Sequence, residues 1–394
     1  MKDAGGNRST DIIFPGATIG ILGGGQLGRM TAMAARSLGY RVQVLDPDPS
    51  CPARFVVDAC FEASWEDAHA AAQLARGCDV VTLEIEQIAI ASLEAAAQHA
   101  PVRPGAKMLA VIQDRILQKE WLAAQHLPLG EFKAVTDVAQ LEAAISAMGG
   151  RCFIKSARGG YDGRSQVKLG FDGEAADAHA CQSAWKALGE RPVVVERAQS
   201  LALELSVMVA RSARGECTCY PPAINHHEQQ ILVWSGMPAN LPPAITRQAR
   251  EIALAIAEAF VLEGLLAVEM FLTTDGRLLV NELAPRPHNS YHASERACAT
   301  SQFEQIVRAI CNLPLGDVEI VQPAAIANLL GDVWIDAKSE TGPRFDAALA
   351  IPGVRLHLYE KHLPKRGRKM GHLSAVGATV EDAVARVLEA KAKL

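Results

Sequence analysis

Two short apolar runs, residues 265–272 (LLAVEMFL) and 277–283 (RLLVNEL), read as strands joined through Asp275-Gly276, a strong two-residue hairpin signal. With Asp275 and Gly276 as the loop, Thr274 pairs with Arg277, and counting back places Glu269 directly opposite Glu282. Like charges at directly opposed strand positions destabilise a sheet. A bound cation turns that cost into a site. The next residues carry Arg286, His288 and Asn289 to the same strand end. Carboxylates for a hard metal beside an arginine for an anion point to a metal–nucleotide enzyme.

The bulk properties permit that chemistry. At 394 residues the chain is too long for one core and implies two or three domains. Apolar residues make up 49%, charged residues 21%, and the formal net charge is −5, so neither disorder nor a nucleic-acid partner is expected. The nine cysteines include no CxxC pair. Cys217 and Cys219 would share one strand face and read as packing rather than zinc ligands, with the thiols reduced as in an intracellular protein. No apolar run reaches the roughly 18 residues needed to cross a bilayer. A cytoplasmic enzyme with no membrane partner is the expectation, with residues 1–12 as a loose polar tail.

The chain then opens as a doubly wound fold. Residues 17–22 (ATIGIL) form a buried strand, Gly23 to Gly28 a tight turn, residues 29–38 an alanine-rich helix, and residues 41–45 a second strand closed by Asp46. Taken alone, this satisfies the dinucleotide fingerprint and says NAD. The same strand–turn–helix serves other doubly wound domains, and its helix N-terminus can hold any phosphate. The strand 79–84 continues the alternation and brings Glu84 and Glu86 to its carboxyl end, where open α/β sheets collect ligands.

From Asp114 the texture changes. Residues 114–122 form an amphipathic helix. A later strand, 151–155, ends in Lys155 just before a loop with Gly159, Gly160 and Gly163. Such a loop can close its N–H groups over phosphates, and a lysine at the strand end supplies a compact cation. Strand 191–196 ends in Glu196 and passes into an irregular stretch, a geometry that suits an adenine edge and ribose hydroxyls.

Lys155 with its glycine loop, Glu196, Glu204 and the Glu269/Glu282 pair follow the order of an ATP-grasp fold. Within that superfamily the chain resembles the 5-(carboxyamino)imidazole ribonucleotide synthases of purine biosynthesis. The resemblance lies in residues 25–30 (GQLGRM), 160–164 (GYDGR), 281–290 (NELAPRPHNS), 300–305 (TSQFEQ) and 367–371 with His372, and it extends from Thr18 to the end. It implies an α/β chain with an N-terminal Rossmann-like domain over residues 13–113, an ATP-grasp domain over 114–316 and a small α+β domain over 317–394. The activity implied is ATP-dependent carboxylation of aminoimidazole ribonucleotide by bicarbonate, with Mg2+, in a homodimer. Another ATP-grasp carboxylate–amine ligase and a nicotinamide-dependent oxidoreductase are the competing readings.

The resemblance also assigns residues. Arg115 and Lys155 hold the ATP phosphates, Gly160, Tyr161, Asp162, Gly163, Arg164, Ser165 and Gln166 cover them, and Asn281 lies close by. Glu196, Arg197, Ala198 and Gln199 meet the adenine, Glu204 the ribose, and His227 lies beside the nucleotide. Glu269 and Glu282 ligate magnesium, Arg286, His288 and Asn289 hold bicarbonate, and Asp162 orients or deprotonates the attacking amine. Glu86, Tyr161, Asp162, Arg164, Lys361 and Arg368 bind the ribonucleotide, the last two through its phosphate. Two departures stand out: Ala284 occupies the position of a common asparagine metal ligand, and Tyr291 replaces a usual glycine, which requires a negative φ or a rearranged loop.

Overall fold

The computed structural model describes residues 10–159, 165–171, 173, 176–337 and 342–394. Most of the expected tail and the five residues 160–164 of the expected lid lie outside the described residues.

Three sheets organise the described residues. The first is parallel, with Thr18–Leu22 at its centre between Arg41–Asp46 and Val80–Leu83, and Ala59–Glu62 at one edge. The strand Thr18–Leu22 is buried along its whole length, as a strand covered by helices on both faces must be.

The second sheet is antiparallel and has the order Phe132–Val135, Val193–Arg197, Cys152–Ser156, Gln166–Leu169. Helices Val138–Ala147 and Ala178–Ala187 pack on it through Leu141, Ile145, Cys181 and Trp185. Both helices start at an aspartate, Asp137 or Asp177, whose carboxylate accepts a first-turn N–H.

The third sheet has nine strands. Leu201–Arg211 lies between Gly264–Thr273 and Ala223–Glu228. Leu278–Ala284 forms one edge, and Ile231–Met237 leads across to the C-terminal strands Ala324–Leu330, Lys369–Val376 and Val354–Leu358. The segment 317–394, expected as a small α+β unit, is thus joined edge to edge to the central sheet.

Period-2 alternation decides which face of this sheet meets water. Leu266, Val268, Met270 and Leu272 all point to one side, where Ile252 and Ile256 of helix Pro243–Ala259 cover them. On the opposite side Leu265 and Ala267 enter a core shared with Tyr220 and Tyr291. Glu269 comes next on that side, where the core ends and a cleft begins.

Candidate functional site

Glu269 pairs with Glu282, as the hairpin count requires, but the route differs from that count. Leu272 pairs with Leu278, so the turn holds Thr274, Asp275 and Gly276 rather than two residues. Gly276 supplies the positive φ of 84° that such a three-residue loop demands. A β-bulge between Met270 and Glu269 then inserts Asn281 and restores the pairing. The bulge has a chemical consequence. Leu278, Val280 and Leu283 join the apolar core, and the consecutive residues Asn281 and Glu282 both add polar groups to the cleft wall.

Around this pair the cleft encloses about 750 Å³, within the range of small-molecule sites. Burial lifts the Glu269 carboxyl above its usual range; His227 opposes the shift, and Glu282 and Glu204 add to it. The Asn281 amide lies 3.5 Å from the Glu269 carboxylate. Two facing carboxylates, one held against ionisation by burial and its neighbours, suit a hard divalent cation. The residues fit magnesium. Ala284 lines the cleft beside them and offers no ligand atom.

The cations come from two elements. Asp114 caps helix Arg115–Ala124 by accepting from the N–H groups of Ile116 and Leu117. That start sets Arg115 and Lys119 four residues apart on one face, and both line the cleft. Arg115 lies 3.6 Å from Glu282. Lys155 comes from an inner strand of the second sheet and reaches Glu196 at 2.8 Å and the Asn281 side-chain oxygen at 3.3 Å. Lys119 meets the other Glu196 oxygen at 3.2 Å. Burial by itself would raise the Glu196 carboxyl, but Lys155 and Lys119 hold it down to about 2.

Glu196 thus holds its carboxylate between two lysines. The N–H groups of Arg197 and Ala198 are also used, by the carbonyls of Glu131 and Arg151. Glu196, Arg197 and Gln199 line the cleft, and Ala198 does not. Phe153, Leu201, Phe271 and Leu279 make the wall beside them apolar, as a planar base requires. Glu204 lies next along that wall, 2.9 Å from His227. Burial would lower the His227 imidazole, but its contact with Glu204 and the nearby Glu269 charge raise it.

At the far end, Arg286 Nε lies 2.8 Å from Glu86 and His288 Nε2 lies 3.2 Å from Glu269. Burial, with Arg286 and Lys369 nearby, keeps His288 well below its usual range, so the ring is neutral. Asn289 lines the same region, and its buried side-chain oxygen has no hydrogen-bond partner among the described residues. Tyr291 does not intrude. Asn289–Tyr291 is a single 3-10 turn, which carries the tyrosine away from the cleft into the core. Its hydroxyl lies 2.9 Å from the Ser206 carbonyl and 3.0 Å from that of Pro221.

The expected residues do not all meet here. Ser165 and Gln166 line the cleft, and Gly160, Tyr161, Asp162, Gly163 and Arg164 lie outside the described residues. Lys361 and Arg368 are not part of the cleft wall. Lys361 instead donates to Gln26, which is part of that wall, and to the Lys369 carbonyl. Arg368 donates to the Leu363 carbonyl.

Among the lining residues that the sequence reading did not assign to the site are Lys119, Lys369 and Gln26. A visible signal for Lys119 was its i,i+4 spacing from Arg115. Gln26 and Lys369 fall in two of the segments that carry the family resemblance, 25–30 and 367–371, but their approach to one cleft across more than 300 positions is decided by tertiary packing.

The glycine turn serves as scaffold. Gly24 N–H donates to Asp46 at 2.7 Å, Gly25 N–H to Glu84 at 2.8 Å, and Gly28 N–H to Glu84 at 3.0 Å. The donors that would grip a pyrophosphate are occupied by carboxylates, which overturns the nicotinamide reading. Burial raises the Glu84 carboxyl, while the N–H groups of Gly28 and Gly25 pull the other way.

Comparison with known proteins agrees with this geometry. Residues 16–113 match the ribonucleotide synthetase preATP-grasp domain, residues 120–303 the ATP-grasp domain, and residues 324–386 the phosphoribosylaminoimidazole carboxylase C-terminal domain. The chain is 39% identical over 367 residues to the N5-carboxyaminoimidazole ribonucleotide synthase of Bacillus subtilis, covering 93% of each. It is 38% identical to that of Brucella melitensis, covering 92% of this chain and 97% of the relative. An ADP complex of N5-carboxyaminoimidazole ribonucleotide synthetase superposes with a TM-score of 0.88 at 38% identity, covering 96% of this chain and 97% of that one. The Aspergillus clavatus synthase, solved with ADP and 5-aminoimidazole ribonucleotide, gives 0.85 at 32% identity, covering 96% and 99%. These matches span nearly the whole chain, and the chain belongs to the N5-carboxyaminoimidazole ribonucleotide synthases.

Proposed function

We propose that this cleft is where the chain, an ATP-grasp ligase of purine biosynthesis, carboxylates aminoimidazole ribonucleotide with bicarbonate at the expense of ATP. The observation that carries the assignment is the position of the Glu269–Glu282 pair between Lys155 on one side and the Arg286–His288–Asn289 corner on the other. The nucleotide base lies along the Leu201–Phe271–Leu279 wall, and Glu204 is placed for the ribose hydroxyls. Lys155, Lys119 and Arg115 take the phosphates.

Bicarbonate is a poor electrophile, so its activation comes first. A bicarbonate oxygen attacks the γ-phosphorus, the bond to the β-phosphate oxygen breaks, and ADP leaves carboxyphosphate behind. The exocyclic amine of the ribonucleotide then attacks the carboxyl carbon; inorganic phosphate departs and the nitrogen loses a proton. Magnesium held by Glu269 and Glu282 would neutralise charge on the β- and γ-phosphate oxygens. Arg286, neutral His288 and Asn289 orient bicarbonate through charge and hydrogen bonds, so positioning and electrostatics supply the catalysis.

We also infer that Lys361 and Arg368 reach the ribonucleotide phosphate when substrate binds, with Gln26 holding Lys361 at the cleft edge beforehand. A homodimer is proposed on family resemblance. A cytoplasmic location is proposed on the biosynthetic role; among the described residues no helix is long and apolar enough to cross a membrane.

The test is ADP release from Mg-ATP and bicarbonate, with and without aminoimidazole ribonucleotide. Marked stimulation by the ribonucleotide is expected, and its absence would overturn the substrate assignment.

A further inference from the structure

Three consecutive side chains, Tyr359, Glu360 and Lys361, engage the first helix, Gln26–Ser37. Tyr359 is wholly buried in a cluster with Leu27 and Met30. Glu360 makes a paired contact with Arg29: Nη2 donates to Oε1 at 2.9 Å, and Nη1 donates to Oε2 at 3.2 Å. Lys361 Nζ donates to Gln26 Oε1 at 2.6 Å. The helix residues that receive them lie within little more than one turn.

An extended chain cannot make this arrangement. Successive side chains on a strand point to opposite faces, so Tyr359 and Lys361 would share a side and Glu360 would leave it. Glu360 breaks the alternation with a φ of 57°, in the left-handed region. Up to that point the ladder holds: the Tyr359 N–H donates to the Met370 carbonyl at 2.9 Å, one residue past strand Val354–Leu358. The chain then leaves the sheet until Lys369. Glycine or asparagine adopts the left-handed conformation more readily than glutamate does. The turn alone does not call for a carboxylate. What the carboxylate adds is the grip on Arg29.

Arg29 is prepared for that grip. It is 9% exposed, and its Nη1 also donates to the Pro52 carbonyl at 3.0 Å, which fixes the guanidinium plane. Glu360 is half exposed and its charge is partly screened, so the worth of the pair lies in direction rather than strength. The next residue carries that direction to the cleft. The Lys361 amine is held between Gln26 and the Lys369 carbonyl, 2.9 Å away, and both of those residues line the cleft wall.

We propose that Glu360, locked to Arg29, is a positioning residue for ribonucleotide binding. It turns the chain out of the sheet at one fixed point and sets the neighbouring Lys361 amine at the cleft edge. The proposal rests on the reading of Lys361 as a ligand of the substrate phosphate.

Steady-state kinetics of the full chain carrying Glu360→Asn test it. Asparagine tolerates a positive φ but cannot make the paired, charged contact. The KM for aminoimidazole ribonucleotide should rise about threefold or more, with kcat and the KM for ATP within roughly twofold of wild type. In a Lys361→Ala background the same substitution should add nothing, because Glu360 acts through Lys361. Effects that multiply in the double variant, or kcat and both KM values moving together, would mark Glu360 as merely structural and overturn the proposal.

The single variants separate the proposal from the reading beneath it. A raised ribonucleotide KM for Lys361→Ala with an unchanged one for Glu360→Asn would remove Glu360 and leave Lys361 on the phosphate. An unchanged KM for Lys361→Ala would remove the phosphate reading and the proposal with it. Should Glu360→Asn fold poorly, Arg29→Lys keeps the charge, loses the paired grip and is held to the same outcomes.

Discussion

Glu269 faces Glu282 because two one-residue departures from a regular hairpin cancel. The turn is one residue longer than an Asp-Gly loop, and the Asn281 bulge returns the register that the turn removes. The acidic pair is thus built together with an amide that a regular strand would have sent to the other face.

Replacement of Glu282 by glutamine should reduce ADP release by about a hundredfold or more, because the charge opposite the phosphates is lost. The circular dichroism spectrum should stay unchanged. Turnover close to wild type would remove the metal role from this residue.

Glu196 should matter for stability in a pH-dependent way. Its folded-state pKa of about 2 lies below the ordinary value of 4.5, so its contribution is complete above pH 4.5 and fades as pH falls toward 2. Glu196→Gln leaves Lys119 and Lys155 without their shared carboxylate and should cost about 3 kcal/mol near neutral pH. Denaturant melts at pH 7 and pH 3.5 should show the gap to wild type narrowing at the lower pH. A gap that widens on acidification would contradict the assignment.

Lys361→Ala should raise the KM for aminoimidazole ribonucleotide by about tenfold or more, with the KM for ATP unaffected. Initial rates with each substrate varied in turn decide this. A change confined to ATP would place Lys361 with the nucleotide instead.

Tyr291 should behave as a core residue. Tyr291→Phe removes the hydroxyl that lies between the carbonyls of Ser206 and Pro221, and should lower stability by about 1–2 kcal/mol. The KM for bicarbonate should not move, and a clear rise would bring the ring back to the anion site.

Gly25 tests the scaffold role of the glycine turn. A Cβ there would come within 2.6 Å of Glu84 Oε1 and push the carboxylate off the Gly25 and Gly28 N–H groups. Gly25→Ala should therefore lower the melting temperature. Calorimetric titration of the wild-type chain with NAD should show no binding, because those donors are already bonded.

Much of this protein was legible in its residues. Buried strands, glycine turns and amphipathic periodicity are local signals, and they marked the first doubly wound sheet, the helix over residues 114–122, and the Glu269–Glu282 pair. Tertiary structure decided the rest. The glycine fingerprint suggested a dinucleotide until Asp46 and Glu84 folded back onto its donors, which a linear pattern cannot reveal. Glu196 read as an adenine neighbour, and that its carboxylate also engages Lys155 and, from a different element, Lys119 emerged only in the fold. Gln26 meets Lys361, and Ser206 meets Ser290, through contacts spanning long stretches of chain. Local sequence dictates element and face, because those depend on residues one to four positions apart. Which groups finally neutralise, orient or bury one another depends on how separate elements dock, and that was settled only in three dimensions.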